Sequence, residues 1–319
     1  MHLSCTYTDI PDRLRGAVVV VGNFDGVHRG HRIVIDEARA VARASNAPLA
    51  VLSFEPHPRS LFRPDDPPFR LTPFAVRARE IAALGVDLHV VLTFDRAFSE
   101  HSAEWFVSEV LSAGLGASHV AIGYDFCFGH RRQGNAETLV EFGRRYGFGV
   151  TIVTQASDES GGAYSSSRVR QFLRDGSPGE AASILGRPFE IEGEVCRGDQ
   201  RGRDLGYPTA NIAMDDYIRP AFGIYAVRCG IVDAPGGPEA PDPRWHYGVA
   251  NLGIRPMFET PEPVLEAHLF DFAGDLYGRT LRVQLIEFLR GEQRFDDVGG
   301  LVAQMNEDAA AARRILAGG

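Results

Sequence analysis

The chain changes its pattern once, and that change most constrains its fold. From residue 17 to about 155, short aliphatic runs (Ala17–Val21, Leu49–Phe54, Leu88–Phe94, His119–Gly123 and Gly149–Thr154) alternate with segments that repeat apolar residues every three or four positions (Ile33–Ala44, Pro73–Leu84, Ala103–Leu111 and Ala136–Tyr146). Strand followed by helix, over and over, predicts a mostly parallel sheet with helices on both faces. Two short helices, Val169–Arg174 and Gly179–Leu185, then lead into a linker at Gly186-Arg187-Pro188. Beyond it come strands without helices between them: Glu190–Val195, Ile224–Cys229, Tyr247–Leu252, Val264–Phe270 and Leu281–Phe288. Five or six such strands bury their edges best by closing into a small antiparallel barrel. The alanine-rich tail Val298–Leu316 carries Leu301, Met305, Ala309, Ala312 and Leu316 on one stripe and is expected to pack on that barrel as a helix. Asp233–Arg244, dense in proline and glycine, reads as a loop.

A length of 319 residues accommodates two ordinary cores, and the expected division is 1–186 and 187–319. The formal net charge of -9 opposes a broad nucleic-acid surface. Arg131-Arg132, Arg144-Arg145 and Arg313-Arg314 are each too short for a polyanion patch, and all but the first read as solvated faces. Any phosphate is gripped locally. Cys5, Cys127, Cys196 and Cys229 have no metal or redox spacing. No apolar run approaches the ~20 residues of a membrane span, and no leader pattern opens the chain, so a cytoplasmic protein without membrane or nucleic-acid partners is expected.

The chemistry concentrates first in Gly22-Asn23-Phe24-Asp25-Gly26-Val27-His28-Arg29-Gly30-His31, directly after the run Ala17–Val21. A strand that feeds a helix start offers free backbone N–H groups and a positive dipole end to an anion. His28 and His31 are three apart and share a helical face. Two imidazoles placed there can donate to triphosphate oxygens as pyrophosphate leaves. Gly26 and Gly30 permit close approach, Gly22 opens the turn, and Phe24 can pack beneath it. The plainer readings of His-x-x-His are a surface pair or a metal-site fragment; zinc needs two further ligands, and the nearest candidate, His57, lies in a proline-flanked loop, Phe54-Glu55-Pro56-His57-Pro58.

Gly123-Tyr124-Asp125-Phe126-Cys127-Phe128-Gly129 opens at another strand end, where Asp125 either orients a ribose, base or histidine or simply forms a turn. Tyr164–Arg170 sets Ser165, Ser166 and Ser167 ahead of a helix as an N-cap and anion nest, with Arg170 reaching back toward a phosphate. In the second half, glycine-rich Gly193–Ile212 can close backbone N–H groups around phosphates, Gly198 among them. Thr209 and Asn211, two apart in extended chain, present oxygens on one side and could hold magnesium with nucleotide phosphates. Glu266, in Leu265-Glu266-Ala267-His268-Leu269-Phe270, is either solvent-facing or a general base, and the strand pattern alone favours exposure.

Together these residues resemble the prokaryotic bifunctional riboflavin kinase/FMN adenylyltransferase family, also called FAD synthetase. The likeness spans nearly the whole chain. It rests on Gly22–His31, Phe54–Pro58, Gly123–Gly129 and Ser165–Arg170 in the first half, and on Leu205-Gly206-Tyr207-Pro208-Thr209-Ala210-Asn211, Gly223–Ala226, Asn251-Leu252-Gly253, Glu266 and Asp275–Gly278 in the second. The resemblance implies an α/β fold: a doubly wound, Rossmann-like nucleotidyltransferase domain, then a small antiparallel β-barrel domain with a C-terminal helix. It implies that riboflavin is phosphorylated with MgATP to FMN in the barrel, with Glu266 as base and with Gly198, Thr209 and Asn211 at ATP and magnesium. It also implies that FMN is adenylylated with a second ATP to FAD, with His28 and His31 catalytic and Gly22, Phe24, Gly30, Asp125, Ser166, Ser167 and Arg170 at the nucleotide. Two departures stand out. Ser167 occupies a position where the family commonly has threonine, and Met257, in Arg255-Pro256-Met257-Phe258, occupies another. A flavin-binding protein with decayed sites, or a nucleotidyltransferase for another phosphorylated acceptor, are the competing readings. The oligomeric state, a homo-oligomer included, is left open.

Overall fold

The computed structural model describes residues 1–158, 161–197, 206–232, 243–254 and 263–318. It divides into two compact units: Met1–Asp66 with Phe74–Tyr164, and Pro67–Pro73 with the chain from Ser165 onward.

The first unit is built on six strands: β1 (His2–Ser4), β2 (Val18–Val21), β3 (Leu49–Glu55), β4 (Leu88–Thr93), β5 (His119–Gly123) and β6 (Gly149–Val153). All neighbours are parallel, in the order β1-β4-β3-β2-β5-β6. The helices are α1 (Arg29–Ser45), α2 (Pro58–Phe62), α3 (Phe74–Ala82), α4 (Arg96–Ser99), α5 (Ala103–Trp105) and α6 (Ala136–Tyr146). All four valines of β2 are buried, because successive side chains enter opposite faces and both faces are covered. Val19 and Val21 join Leu52, Val90 and Ile122 against Phe106, Val110 and Leu139. Val18 and Val20 join Val51 and Ala121 against Ile35, Ala38 and Ile81. After α5 the chain continues as a π-helix over Phe106–Gly114, where an α-helix was expected; the Leu115 N–H donates to the Val110 carbonyl, five residues back.

Strand order reverses at β2. From there the chain moves outward through β3 and β4, then returns to place β5 on the other side of β2. Such a switch point leaves a crevice at the carboxyl ends of the two strands, where α/β sheets bind ligands.

The second unit contains α7 (Ser166–Arg174), α8 (Pro178–Leu185), β7 (Phe189–Cys196), β8 (Ala210–Ala213), β9 (Gly223–Val232), β10 (Arg244–Ile254), β11 (Pro263–Leu269), β12 (Thr280–Gly291) and α9 (Val298–Ala317). The strands close as β10-β11-β8-β7-β12-β9, with every pair antiparallel. β8 lies in the stretch that the sequence presented as a glycine-rich loop. Ile191, Ile212, Leu252, Leu265, Ala267, Val283 and Leu285 are buried. Gly223, at φ 148°, lets β9 cross β12 closely, since a Cβ there would strike the Arg290 carbonyl oxygen. α9 covers one side through Ala312 and Leu316, packed on Ala226 and Phe270. Its buried Asp308 accepts from the Arg290 guanidinium, at 3.0 Å from Nε and 2.6 Å from Nη2.

The packing boundary at 164/165 precedes the sequence boundary at 186/187 because α8 packs on β7 and β12. Residues 67–73 group with the barrel through the Arg70 N–H on the Asp216 carbonyl and the Ile218 N–H on the Arg70 carbonyl. Gly198, Leu205, Met257 and most of the Asp233–Arg244 loop lie outside the described residues.

Candidate functional sites

In the first unit the crevice at the switch point is bordered by the two segments that follow β2 and β5. Gly22 continues β2, its N–H donating to the Leu52 carbonyl at 3.1 Å. A Cβ on Gly22 would lie 3.1 Å from the Phe24 ring, so glycine here lets that ring tuck beneath the turn. Phe24, Gly26 and Val27 then take positive φ (52°, 91° and 42°), a contorted entry that aims the following backbone at the helix start.

His28 is the N-cap of α1. Its Nδ1 accepts the backbone N–H of His31 at 3.4 Å. With Nδ1 used as an acceptor, the neutral ring carries its proton on Nε2, which makes Nε2 a donor. The imidazoles of His28 and His31 stack with centroids 3.7 Å apart and planes 19° apart, and Phe24 flanks His31 at 5.2 Å. Gly30 permits this stack, because a Cβ there would meet the His28 ring and the Tyr164 Cβ at 3.1 Å. His28 is buried, 5% exposed, while His31 is half-buried. A stacked imidazole pair at a helix N-terminus, with one ring's donor nitrogen fixed, can receive phosphate oxygens.

At the other border, Asp125 is exposed in a turn closed by the Phe126 N–H on the Gly123 carbonyl. Around β3 and β4 lies a group of buried polar contacts that sequence reasoning did not single out. The fully buried Arg77 of α3 donates from Nη2 to Glu55 Oε2 at 2.7 Å and to the Phe54 carbonyl at 3.2 Å. His89 of β4 shares a 2.8 Å hydrogen bond with Ser53 of β3. Burial, aided by the Arg77 charge, lowers the His89 pKa to about 3. His57, expected in a fixed loop, is the N-cap of α2, its Nδ1 accepting the Arg59 N–H at 3.1 Å. Among the described residues no cluster of three His, Cys, Asp or Glu could hold a metal.

Ser166, Ser167 and Arg170 belong to the second unit. The N-cap of α7 is Ser165, whose Oγ accepts the Arg168 N–H at 3.3 Å, so Ser166 and Ser167 stand in the helix's first turn. Arg170 Nε donates to the Phe69 carbonyl at 2.9 Å, and its guanidinium lies over the Phe69 ring.

The barrel brings three polar residues into one rung. Asn211 of β8 is paired directly with Glu266 of β11, and Glu266 with Asn251 of β10. Directly opposed residues of antiparallel strands project to the same face. Here it is the outer face, since Ala210, Ile212, Leu252, Leu265 and Ala267 are buried in alternation with the three. Asn211 is 6% exposed and Glu266 half-buried, so the carboxylate is neither fully solvated nor in the core. Thr209, just ahead of β8 and two residues before Asn211, is half-buried. His268, two after Glu266, meets the Pro208 carbonyl at 2.9 Å through Nδ1 and lies 4.8 Å from the Tyr207 ring. The Tyr207 hydroxyl in turn donates to Asn306 of α9 at 2.6 Å.

Comparison with known proteins gives two consecutive family matches: a model described as FAD synthetase over residues 10–168, and one described as riboflavin kinase over 185–316. The bifunctional riboflavin kinase/FMN adenylyltransferase of Escherichia coli K12 is 42% identical, covering 94% of this chain and 93% of that protein. The enzyme of the same description from Pseudomonas fluorescens is 40% identical (95% and 94% covered), and that from Bacillus subtilis 32% (98% and 97%). A crystal structure of a protein from Streptococcus pneumoniae, described as a macrolide-efflux protein, superposes with a TM-score of 0.84 at 31% identity and covers 98% of both chains. Among the described residues of the present chain no helix is long and apolar enough to cross a membrane.

Proposed function

Because the chain belongs to the bifunctional riboflavin kinase/FMN adenylyltransferase family, we propose a division of labour in which residues 187–319 make FMN and residues 1–186 convert it to FAD. The chain is a transferase with both activities. The observation that carries the division is the order of the two family matches along it.

In the kinase half, Glu266 accepts the proton of the ribityl 5'-hydroxyl as that oxygen attacks the γ-phosphorus of ATP and ADP leaves. Thr209, Asn211 and the segment containing Gly198 hold the phosphates. Thr209 and Asn211 would hold magnesium through their oxygens together with the phosphates, the ion keeping several waters, and it would neutralise phosphate charge. The rung supports the reading by putting a half-buried carboxylate beside the Asn211 amide.

In the adenylyltransferase half, a phosphate oxygen of FMN attacks the α-phosphorus of ATP, and the bond to pyrophosphate breaks. His28 and His31 donate to the oxygens on which charge develops, while Gly22, Phe24 and Gly30 keep the turn open to the nucleotide. Asp125 orients the nucleoside, and Ser166, Ser167 and Arg170 supply further donors to phosphate. Positioning and fixed dipoles provide most of the rate. Cytoplasmic location follows from the same reading, with substrates that are small molecules. Incubating the purified chain with riboflavin, ATP and magnesium yields FMN and then FAD by chromatography; FMN without FAD removes the assignment of the first half.

A further inference from the structure

The rung on the barrel's outer face has a direction. On one side of Glu266 lies Asn211, which the proposed function gives to the phosphates; on the other lies Asn251, to which it gives nothing. A polyol that presents its terminal hydroxyl to Glu266 and faces a phosphate on the Asn211 side must run its remaining hydroxyls toward Asn251. Side chains directly opposed across antiparallel strands stand about 5 Å apart at Cβ, a distance a ribityl chain of several carbons spans.

Asn251 is prepared for that neighbour. Its Oδ1 is shielded from solvent, and among the described residues no donor reaches it. A buried acceptor left unsatisfied costs free energy, and folding retains few of them. The amide's orientation is also constrained. Gly253, two residues on, has no Cβ, and the space this leaves is approached by Glu292 Oε1 and Asn251 Nδ2; a Cβ there would strike that carboxylate and lie 3.4 Å from Nδ2. The amide nitrogen therefore faces the carboxylate side, and Oδ1 remains the acceptor without a donor among the described residues.

We propose that Asn251 Oδ1 accepts a hydrogen bond from a secondary hydroxyl of the ribityl chain and so selects a polyol-bearing flavin and aligns its 5'-hydroxyl on Glu266. This rests on the assignment of Glu266 as the kinase base. The test compares riboflavin with its 2'-, 3'- and 4'-deoxy analogues as phosphoryl acceptors for the full chain, wild type and Asn251→Leu, at saturating MgATP. Wild type loses about tenfold in kcat/KM with one of the three analogues, the worth of one hydrogen bond. Asn251→Leu loses about as much with riboflavin and treats riboflavin and that analogue alike, with the effect in KM for flavin and none in KM for ATP. Without flavin the leucine chain melts at or above the wild-type temperature, because an unsatisfied acceptor has been replaced by an apolar group of similar shape. Equal use of all three analogues by wild type overturns the proposal, a result that needs no variant. Undiminished discrimination by Asn251→Leu overturns it as well. Glu266→Gln, assayed alongside, separates the two readings: retained phosphorylation there refutes the base assignment, whereas its loss with unchanged discrimination in Asn251→Leu refutes the present inference alone.

Discussion

The His28 imidazole accepts the backbone N–H of His31 and stacks on the His31 ring 3.7 Å away. One side chain thus starts α1 and builds the imidazole stack. Replacement tests these roles separately. His28→Ala removes both, costing about 1 kcal/mol of cap energy and about 100- to 1000-fold in FAD formation. His28→Asn restores a good cap and leaves FAD formation depressed. Thermal melts and chromatography of FAD from supplied FMN distinguish the two, and FMN formation from riboflavin is unchanged in both variants.

Glu266→Gln keeps the shape of the rung and removes the proposed base. FMN formation falls by about 100-fold or more, while supplied FMN is still adenylylated. Single-turnover assays of each half-reaction measure this, and a kinase rate within a few-fold of wild type contradicts the role.

His89 gives a pH dependence of stability. Its folded pKa, about 3, lies below the ordinary value of 6.5, so the unfolded chain takes up a proton that the folded chain refuses. The contribution is complete above about pH 6.5 and is lost progressively as pH falls toward 3. Between pH 7 and 5 it amounts to about 2 kcal/mol. His89→Asn is less stable than wild type at pH 7 and loses less on acidification. Urea unfolding at both pH values reads the difference, and equal pH slopes for the two chains refute it.

Asp308 and Arg290 form a largely buried pair between α9 and β12, with Gln304 also donating to Asp308. Asp308→Ala leaves the guanidinium uncompensated and costs about 3–5 kcal/mol. Joint replacement by Arg290→Met and Asp308→Leu recovers most of the loss. Denaturant midpoints of the three variants check this, and a mild effect of the single change counts against burial as the cause.

Much of this architecture was legible in the residues. Val18–Val21 could only be a strand covered on both faces, and the loss of helical periodicity after Pro188 announced the barrel. What escaped was short or ambiguous. β1 has three residues, and β8 four in a stretch dominated by glycine and polar side chains, so neither showed an alternation. Over nine residues, apolar spacing does not separate a π-helix from an α-helix, so Ala103–Leu111 read as helical without its π character. At the sites, His28 and His31 were legible as neighbours, but His28's cap depends on a single backbone N–H. Glu266 illustrates the opposite limit: its strand pattern pointed to solvent, and only cross-strand register reveals the two amides beside it. Arg77 and His89 were hidden because a helix period and a strand run say nothing about which polar side chains meet in the interior.

The bond from the Tyr207 hydroxyl to Asn306 makes the last helix a guy-rope for the chain that enters β8 and carries Thr209 and Asn211. A deletion that frays α9 therefore slackens the segment that carries Thr209 and Asn211 from a distance.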